Sequence, residues 1–232
     1  MALMSLTALI KGVAARGGYV ISRAGVAHDL AHWAEDAEFE AALASCRPYS
    51  MLGPDRLFML WQVAREARAL PGEVAQVGVY RGGSAALIAR ALAGSGKELH
   101  LFDTFTGMPE VDARVDLHKK DDFNDTSLAR VQGLFAGDAH TSFHPGVFPD
   151  TAGPIKGMRF AFVYLDVDIY SSTRDALAFF YPRLVPGGFL MSDDYRGKRT
   201  PGVKKAFDEF LADKREHPLL TAIGQCLLIK HA

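Results

Sequence analysis

The chain has 232 residues, of which 49% are hydrophobic and 23% charged, a composition typical of a globular protein with one substantial core. Its formal net charge of -1 argues against the broad positive field that nucleic-acid-binding domains usually carry. The two cysteines, Cys46 and Cys226, lie too far apart for a metal-ligand spacing and suggest no disulfide framework, so we expect a protein of the reducing cytoplasm.

The first 50 residues predict a helical N-terminal extension or lid, broken at Gly17-Gly18 and at Gly25, ahead of a domain at 51–232. This segment lacks both the ~20 apolar residues of a membrane-spanning helix and the features of a signal peptide. Its leucines are mixed with basic residues, which allows two interpretations. The segment is either a helix that packs on the domain or on a partner, or a helix that binds weakly to a membrane surface. Exposed apolar residues here favour a homodimer.

From Pro54 an amphipathic pattern predicts a helix that ends at Pro71-Gly72. After Glu73, short apolar runs alternate with helical patterns, beginning with "EVAQVGVY" and "SAALIARALAG". This alternation predicts a Rossmann-like, doubly wound α/β fold, with a mostly parallel sheet between helices. The last two runs, "LLTAI" and "QCLLIK", are too close for a crossover helix and predict an antiparallel C-terminal hairpin at the sheet edge.

The residues after each predicted strand are the candidate binding residues, because ligands of such sheets lie beyond the carboxyl ends of the strands. After the first strand, "GVYRGGS" places Gly78, Gly82 and Gly83 in a turn that leads into a helix, where a ligand can approach the backbone. The spacing does not match the dinucleotide pattern G-x-G-x-x-G. Asp103 ends the second strand, where an acidic side chain can accept hydrogen bonds from ribose hydroxyls. Together they indicate a nucleoside-bearing cofactor; a ligand-free turn and a turn-capping role for Asp103 are the alternatives.

Two acidic pairs follow later strands: Asp166 with Asp168, and Asp193 with Asp194. Carboxylates that meet without cations repel one another, and a divalent metal relieves that repulsion. An all-oxygen ligand set suits Mg²⁺, Mn²⁺ or Ca²⁺. The alternative is that these aspartates cap helices, which we consider the better interpretation for Asp168.

The motifs "GVYRGGS", "LFDTFTGMP", "YLDVDIYSSTRDALAFFYPRLVPGGF" and "SDDY" resemble, in order and spacing, the macrocin O-methyltransferase (TylF) family over roughly residues 47–212. The resemblance implies a class I S-adenosylmethionine (SAM)-dependent O-methyltransferase that acts on a sugar hydroxyl of a natural product, and Mg²⁺ or another divalent cation as a second cofactor. It implies Asp166, Asp193 and Asp194 as metal ligands and Asp166 also as general base. The implied cofactor-binding residues are Ser50, Met51, Gly78, Tyr80, Gly82, Gly83, Ser84, Asp103 and Thr104. Val167 departs from the glycine that the family resemblance implies.

Several alternatives stay open. His140 or His144 could replace Asp166 as the base. Residues 119–123 form either a solvated charged loop or a lid over acceptor and cofactor. A group of basic residues follows the second acidic pair: Arg196, Lys198, Arg199, Lys204 and Lys205. These residues either bind a phosphate of the substrate or form the solvent-exposed face of a helix. A metal-dependent methyltransferase for catechols, a non-catalytic SAM-binding protein and a dehydrogenase are the competing functions.

Overall fold

A computed structural model describes residues 32–232 of the chain. The chain divides into two compact units, residues 1–40 and residues 41–232. In the first, the described residues form a 3-10 helix, His32–Glu35, followed by the start of helix α1 (Ala37–Cys46). The helices predicted around Gly17-Gly18 and Gly25, with their proposed dimer or membrane contacts, lie outside the described residues. The predicted division of the chain at residue 50 stays a prediction.

Within residues 32–232, five further helices flank the sheet: α2 (Pro54–Glu66), α3 (Gly83–Ala91), α4 (Leu128–Leu134), α5 (Tyr170–Phe180) and α6 (Pro201–Leu211). Helix α2 begins at Pro54 as predicted, because proline at the first helical position lacks only an N–H that would have no helical partner. It ends earlier than predicted, at Glu66, and a 3-10 turn (Ala67–Ala69) connects it to the first strand.

The sheet has seven strands in the order β3-β2-β1-β4-β5-β7-β6. Strands β1 to β5 are parallel, while β7 is antiparallel to both β5 and β6. Their bounds are β1 (Glu73–Val77), β2 (Leu99–Asp103), β3 (Thr141–Pro145), β4 (Phe160–Leu165), β5 (Leu184–Ser192), β6 (Leu219–Leu220) and β7 (Cys226–Ile229). The Rossmann-like fold and the C-terminal hairpin are therefore confirmed, and the hairpin's two-residue β6 forms the outer edge.

The strand order reverses between β1 and β4, which creates a crevice at their carboxyl ends. The register fixes what faces this crevice, because Val77 pairs with Leu165 and Leu165 pairs with Ser192. Gly78, Asp166 and Asp193 each follow one of these residues, so the three begin their loops side by side.

The core beneath this edge is apolar and rich in aromatic rings. Every residue of β4 is buried, as expected for a central strand covered on both faces. Phe180 of α5 packs against Phe102, Phe148 and Phe160, with ring centroids 5.1 to 6.2 Å apart. Such packing holds the strand ends in a fixed register. Within residues 32–232, no helix is long and apolar enough to cross a membrane.

Candidate functional site

Three carboxylates meet at the carboxyl ends of β4 and β5. One oxygen each of Asp166, Asp193 and Asp194 can be chosen so that all three lie within 4.8 Å of one another. Backbone hydrogen bonds hold the first two in place: the Asp166 amide donates to the Val77 carbonyl and the Asp193 amide to the Leu165 carbonyl, both at 3.0 Å. The structure thus brings together the three residues that the sequence proposed as metal ligands.

The electrostatics of this cluster leave it short of positive charge. Burial, followed by repulsion from Asp193 and Asp168, raises the pKa of Asp166 well above its ordinary value. Burial and the other carboxylates likewise raise the pKa of Asp194. A cation bound between them would relieve both effects, and an all-carboxylate donor set is one that Mg²⁺ and Mn²⁺ accept. The residues therefore fit a hard divalent cation.

Asp193 is held by donors that sequence reasoning missed. Its side chain accepts hydrogen bonds from the Tyr164 hydroxyl (3.0 Å) and from Gln225 Nε2 (2.7 Å), and forms a salt bridge with Arg56. Burial, followed by the neighbouring carboxylates, raises the pKa of Tyr164 well above its ordinary value, so the tyrosine acts as a donor. Asp193 does not cap a helix, because its carboxylate is committed to these side chains.

The interpretation of Asp168 as a helix cap is wrong. Helix α5 has no side-chain cap from its own N-cap residue, and the Tyr170 amide instead donates to Asp116 Oδ1 at 2.9 Å. Asp116 comes from the long loop after β2, where no local pattern marks it as a cap. Asp168 has a φ of +61°, and its amide donates a hydrogen bond to Asp194 Oδ2 at 3.1 Å. Asp168 lines the cleft.

His118 is the histidine that approaches the acidic cluster. It is buried, its Nδ1 lies 3.0 Å from Asp122 Oδ2, and its Nε2 lies 3.8 Å from Asp168 Oδ1. The two histidines considered from the sequence lie elsewhere: His140 is exposed, and His144 stacks on Phe102. Neither lines the cleft, so the proposal of either as base is wrong.

The glycine turn after β1 forms the opposite wall of the same cleft. Gly78 has a φ of +83°, and a Cβ built on it would lie 1.9 Å from the carbonyl oxygen of Asp166. Glycine is thus required there by the close approach of two backbones. Gly83 begins α3 and packs so closely on the segment before α2 that a Cβ would lie 2.6 Å from Ser50 Cβ.

Asp103 stabilises that turn directly. Its Oδ2 accepts hydrogen bonds from the Val79 amide (2.6 Å) and the Tyr80 amide (2.9 Å), and its Oδ1 accepts one from the Phe105 amide (2.7 Å). The turn-capping interpretation is therefore correct. The Thr104 hydroxyl also lies 3.4 Å from Oδ1, so about four acceptor positions of the carboxylate are in use, and a ribose hydroxyl would have to replace one of these donors.

The cleft joins the glycine turn to the acidic cluster. Of the residues that the resemblance implied for cofactor and metal binding, all except Gly82 line it: Ser50, Met51, Gly78, Tyr80, Gly83, Ser84, Asp103, Thr104, Asp166, Asp193 and Asp194. Gly82 is the N-cap of α3, with a φ of +90°, and acts on the turn rather than on the cleft. One continuous cavity thus contains the predicted cofactor and metal residues.

A model of the family described as macrocin-O-methyltransferase (TylF) matches residues 6–227. The chain belongs to this family. It is 34% identical over 181 residues to mycinamicin III 3''-O-methyltransferase from Micromonospora griseorubida, covering 70% of each protein. It is 35% identical over 163 residues to 8-demethyl-8-(2,3-dimethoxy-alpha-L-rhamnosyl)-tetracenomycin-C 4'-O-methyltransferase from Streptomyces olivaceus, covering 63% of this chain and 62% of that one.

Among solved structures, the O-methyltransferase NovP superposes with a TM-score of 0.69 at 27% identity, over 79% of this chain and 83% of NovP. The resemblance drawn from the motifs is therefore confirmed, as is the enzyme class. The protein is a SAM-dependent O-methyltransferase.

The long loop of this O-methyltransferase between β2 and α4 lies partly over the cleft. Phe123 lines the cavity and packs edge-on against Tyr80, with ring centroids 5.4 Å apart. Lys120, by contrast, is exposed and paired with Glu110. Within this segment, Phe123 lies where the lid interpretation expects it, and Lys120 lies where the solvated-loop interpretation expects it.

The basic residues after the second acidic pair fall into two groups, one on a helix surface and one in a pocket. Lys204 and Lys205 pair with Asp208 and Glu209 on the exposed face of α6, as the helix interpretation predicts. Lys198 and Arg199 instead line a second pocket, which shares Met51, Phe123, Asp168 and Asp194 with the main cleft.

Proposed function

We propose that this enzyme uses SAM and a divalent cation to methylate a hydroxyl of a sugar or of a glycosylated small molecule. The observation that carries the proposal is the single cleft that joins the glycine turn at Gly78 to the carboxylates of Asp166, Asp193 and Asp194. The tetracenomycin relative named above acts on a rhamnosyl-bearing compound, which supports a sugar acceptor in natural-product biosynthesis.

On the cofactor side, the turn at Gly78 and the N-terminus of α3 at Gly83 would hold the methionine part of SAM, with Ser50 and Met51 across from them. The hydroxyl of Ser50 accepts a hydrogen bond from the Leu52 amide (3.1 Å), which stabilises the turn of this segment. Asp103 would receive the ribose. With these roles, the sulfonium would lie between the turn and the acidic cluster.

On the acceptor side, Asp166, Asp193 and Asp194 would hold the cation. When bound, such an ion would lower the pKa of an acceptor hydroxyl and fix the position of two neighbouring oxygens. Asp166 would accept the hydroxyl proton. Asp168 is a second candidate for that proton, because its carboxylate faces the cleft and is not used as a helix cap.

His118 would orient the acceptor beside these carboxylates. Its contact with Asp122 holds Nδ1, which leaves Nε2 directed towards Asp168 at 3.8 Å, longer than a hydrogen bond. An acceptor hydroxyl between His118 and Asp168 would find a partner on each side.

Titration calorimetry with S-adenosylhomocysteine (SAH), with and without Mg²⁺, tests the cofactor assignment, and a screen of nucleotide sugars, glycosides and catechols tests the acceptor. We expect the protein to bind SAH and to transfer a methyl group to a sugar diol, and we expect EDTA to abolish this transfer. Asp194→Asn should abolish transfer while Asp213→Asn, which changes an exposed carboxylate, should not. The absence of SAH binding would contradict the proposal, as would turnover of a catechol alone or SAH binding without any methyl transfer.

A further inference from the structure

Arg56 occupies a particular place between the two halves of the cleft. It lies in the first turn of α2, four residues after Leu52, the last residue of the preceding segment that lines the cavity. Its guanidinium contacts three acceptors in the C-terminal half of the chain: the carboxylate of Asp193, the carbonyl of Asp193 (2.9 Å) and the carbonyl of Ile223 (2.8 Å). One side chain therefore fixes both the backbone and the side chain of Asp193.

The carboxylate of Asp193 is surrounded by these partners and still borders the cleft. The residue is 3% exposed, and its Oδ1 accepts from Tyr164 and Gln225 while its Oδ2 faces Arg56. Gln225 Nε2 also lies 3.4 Å from the Arg56 carbonyl, which closes the network on itself. Asp193 is consequently held in one orientation, and among its three side-chain partners Arg56 is the one that contacts both the carboxylate and the backbone carbonyl.

The charges of the cluster support the same conclusion. Asp166, Asp193 and Asp194 carry three negative charges when ionised, and Arg56 is the cation that forms a salt bridge with this group in residues 32–232. The chain itself thus pairs Asp193 with a cation, and within the described residues Asp166 and Asp194 form no salt bridge with Lys, Arg or His.

We propose that Arg56 is a positioning residue for the metal site: it holds Asp193 in the geometry required for coordination before the cation binds. The inference rests on the proposed metal dependence. A lysine cannot replace it, because an ammonium is a point charge whereas the planar guanidinium reaches the carboxylate and both carbonyls together.

The test is Mg²⁺ binding, measured by calorimetry in the presence of SAH and without acceptor, and Mn²⁺ binding by electron paramagnetic resonance. Residues that orient metal ligands typically change metal affinity about 10- to 100-fold when mutated. We expect that loss for Arg56→Gln and a loss of about 10-fold for Arg56→Lys, which keeps the buried charge paired and should fold. Arg68→Gln is the matched control, because Arg68 is exposed and follows the same helix.

Four results would overturn the proposal. Unchanged or tighter metal binding by Arg56→Gln would show that Arg56 merely competes with the cation, and full affinity in Arg56→Lys would show that charge alone matters. Equal weakening in Arg68→Gln would show a non-specific effect. If the wild-type protein binds neither metal, the proposed metal dependence fails first and the role of Arg56 with it.

Discussion

Replacing Gly78 by alanine tests whether the glycine turn and the acidic cluster are mechanically linked. The new Cβ would lie 1.9 Å from the Asp166 carbonyl oxygen, whereas ordinary contact begins at 3.4 Å, so the two backbones would have to separate by the difference, 1.5 Å. A left-handed φ costs a non-glycine residue about 1–2 kcal/mol. Overpacking adds about 1–3 kcal/mol. The expected loss of stability is therefore about 2–5 kcal/mol.

Gly94→Ala is the matched control, because Gly94 also has a positive φ (+74°) but nothing lies within 4 Å of its added Cβ. Gly94→Ala should lower the free energy of unfolding only by the contribution of the left-handed backbone conformation, about 1–2 kcal/mol. Urea unfolding of both variants measures the difference. Because a misplacement of about 1 Å can cost on the order of 100-fold in rate, Gly78→Ala should also lose metal affinity and methyl transfer. Equal stability of the two variants, with unchanged Mg²⁺ binding in Gly78→Ala, would refute the link.

Three further outcomes are expected. Mg²⁺ at 100 times its Kd should stabilise the protein by about 2.7 kcal/mol, seen as a rise in Tm that EDTA reverses; no shift at saturating Mg²⁺ would contradict the metal site. Although burial alone would raise the pKa of Glu216, hydrogen bonds from the Tyr181 hydroxyl and the His231 amide help to lower it to about 2. Glu216→Gln should therefore lower the free energy of unfolding, measured with urea at pH 7, by about 1.5–3 kcal/mol. The difference between variant and wild type should shrink as pH falls from about 4.5 to about 2, because the wild-type carboxylate becomes protonated. A difference that does not depend on pH would contradict this explanation. His118→Gln should raise the KM for the acceptor and leave SAH affinity unchanged; weaker SAH binding would place His118 on the cofactor side.

The main features of the fold could be predicted because each depends on local pattern. A buried run such as Phe160–Leu165 indicates a central strand, and Pro54 marks where α2 begins. The end of α2 does not follow from the sequence in the same way, since Pro71-Gly72 shows only where a helix cannot continue, and the last turn changes to 3-10 geometry before that point.

The acidic cluster could also be predicted, because parallel strands bring their carboxyl ends to one edge. Asp166 and Asp193 need only the register of β4 and β5 to meet. Arg56 could not be found this way, since it is 137 residues from Asp193 and its contact depends on how α2 docks against the sheet. His118 belongs to a long loop whose course no periodic pattern specifies.

Val167 shows how a local departure from the family resemblance alters the cleft without altering the fold. The resemblance implied a glycine, yet the backbone at Val167 does not have the positive φ that would require one; the left-handed conformation falls on Asp168 instead. The valine side chain is half-buried against the core, lines the cleft, and places Cγ1 only 3.3 Å from where a Cβ on Gly78 would be. It therefore fills space between the glycine turn and the acidic cluster, where methyl donor and acceptor would have to meet. The residue changes the shape of that meeting point, while Gly78, Asp166 and Arg56 keep the chemistry around it in place.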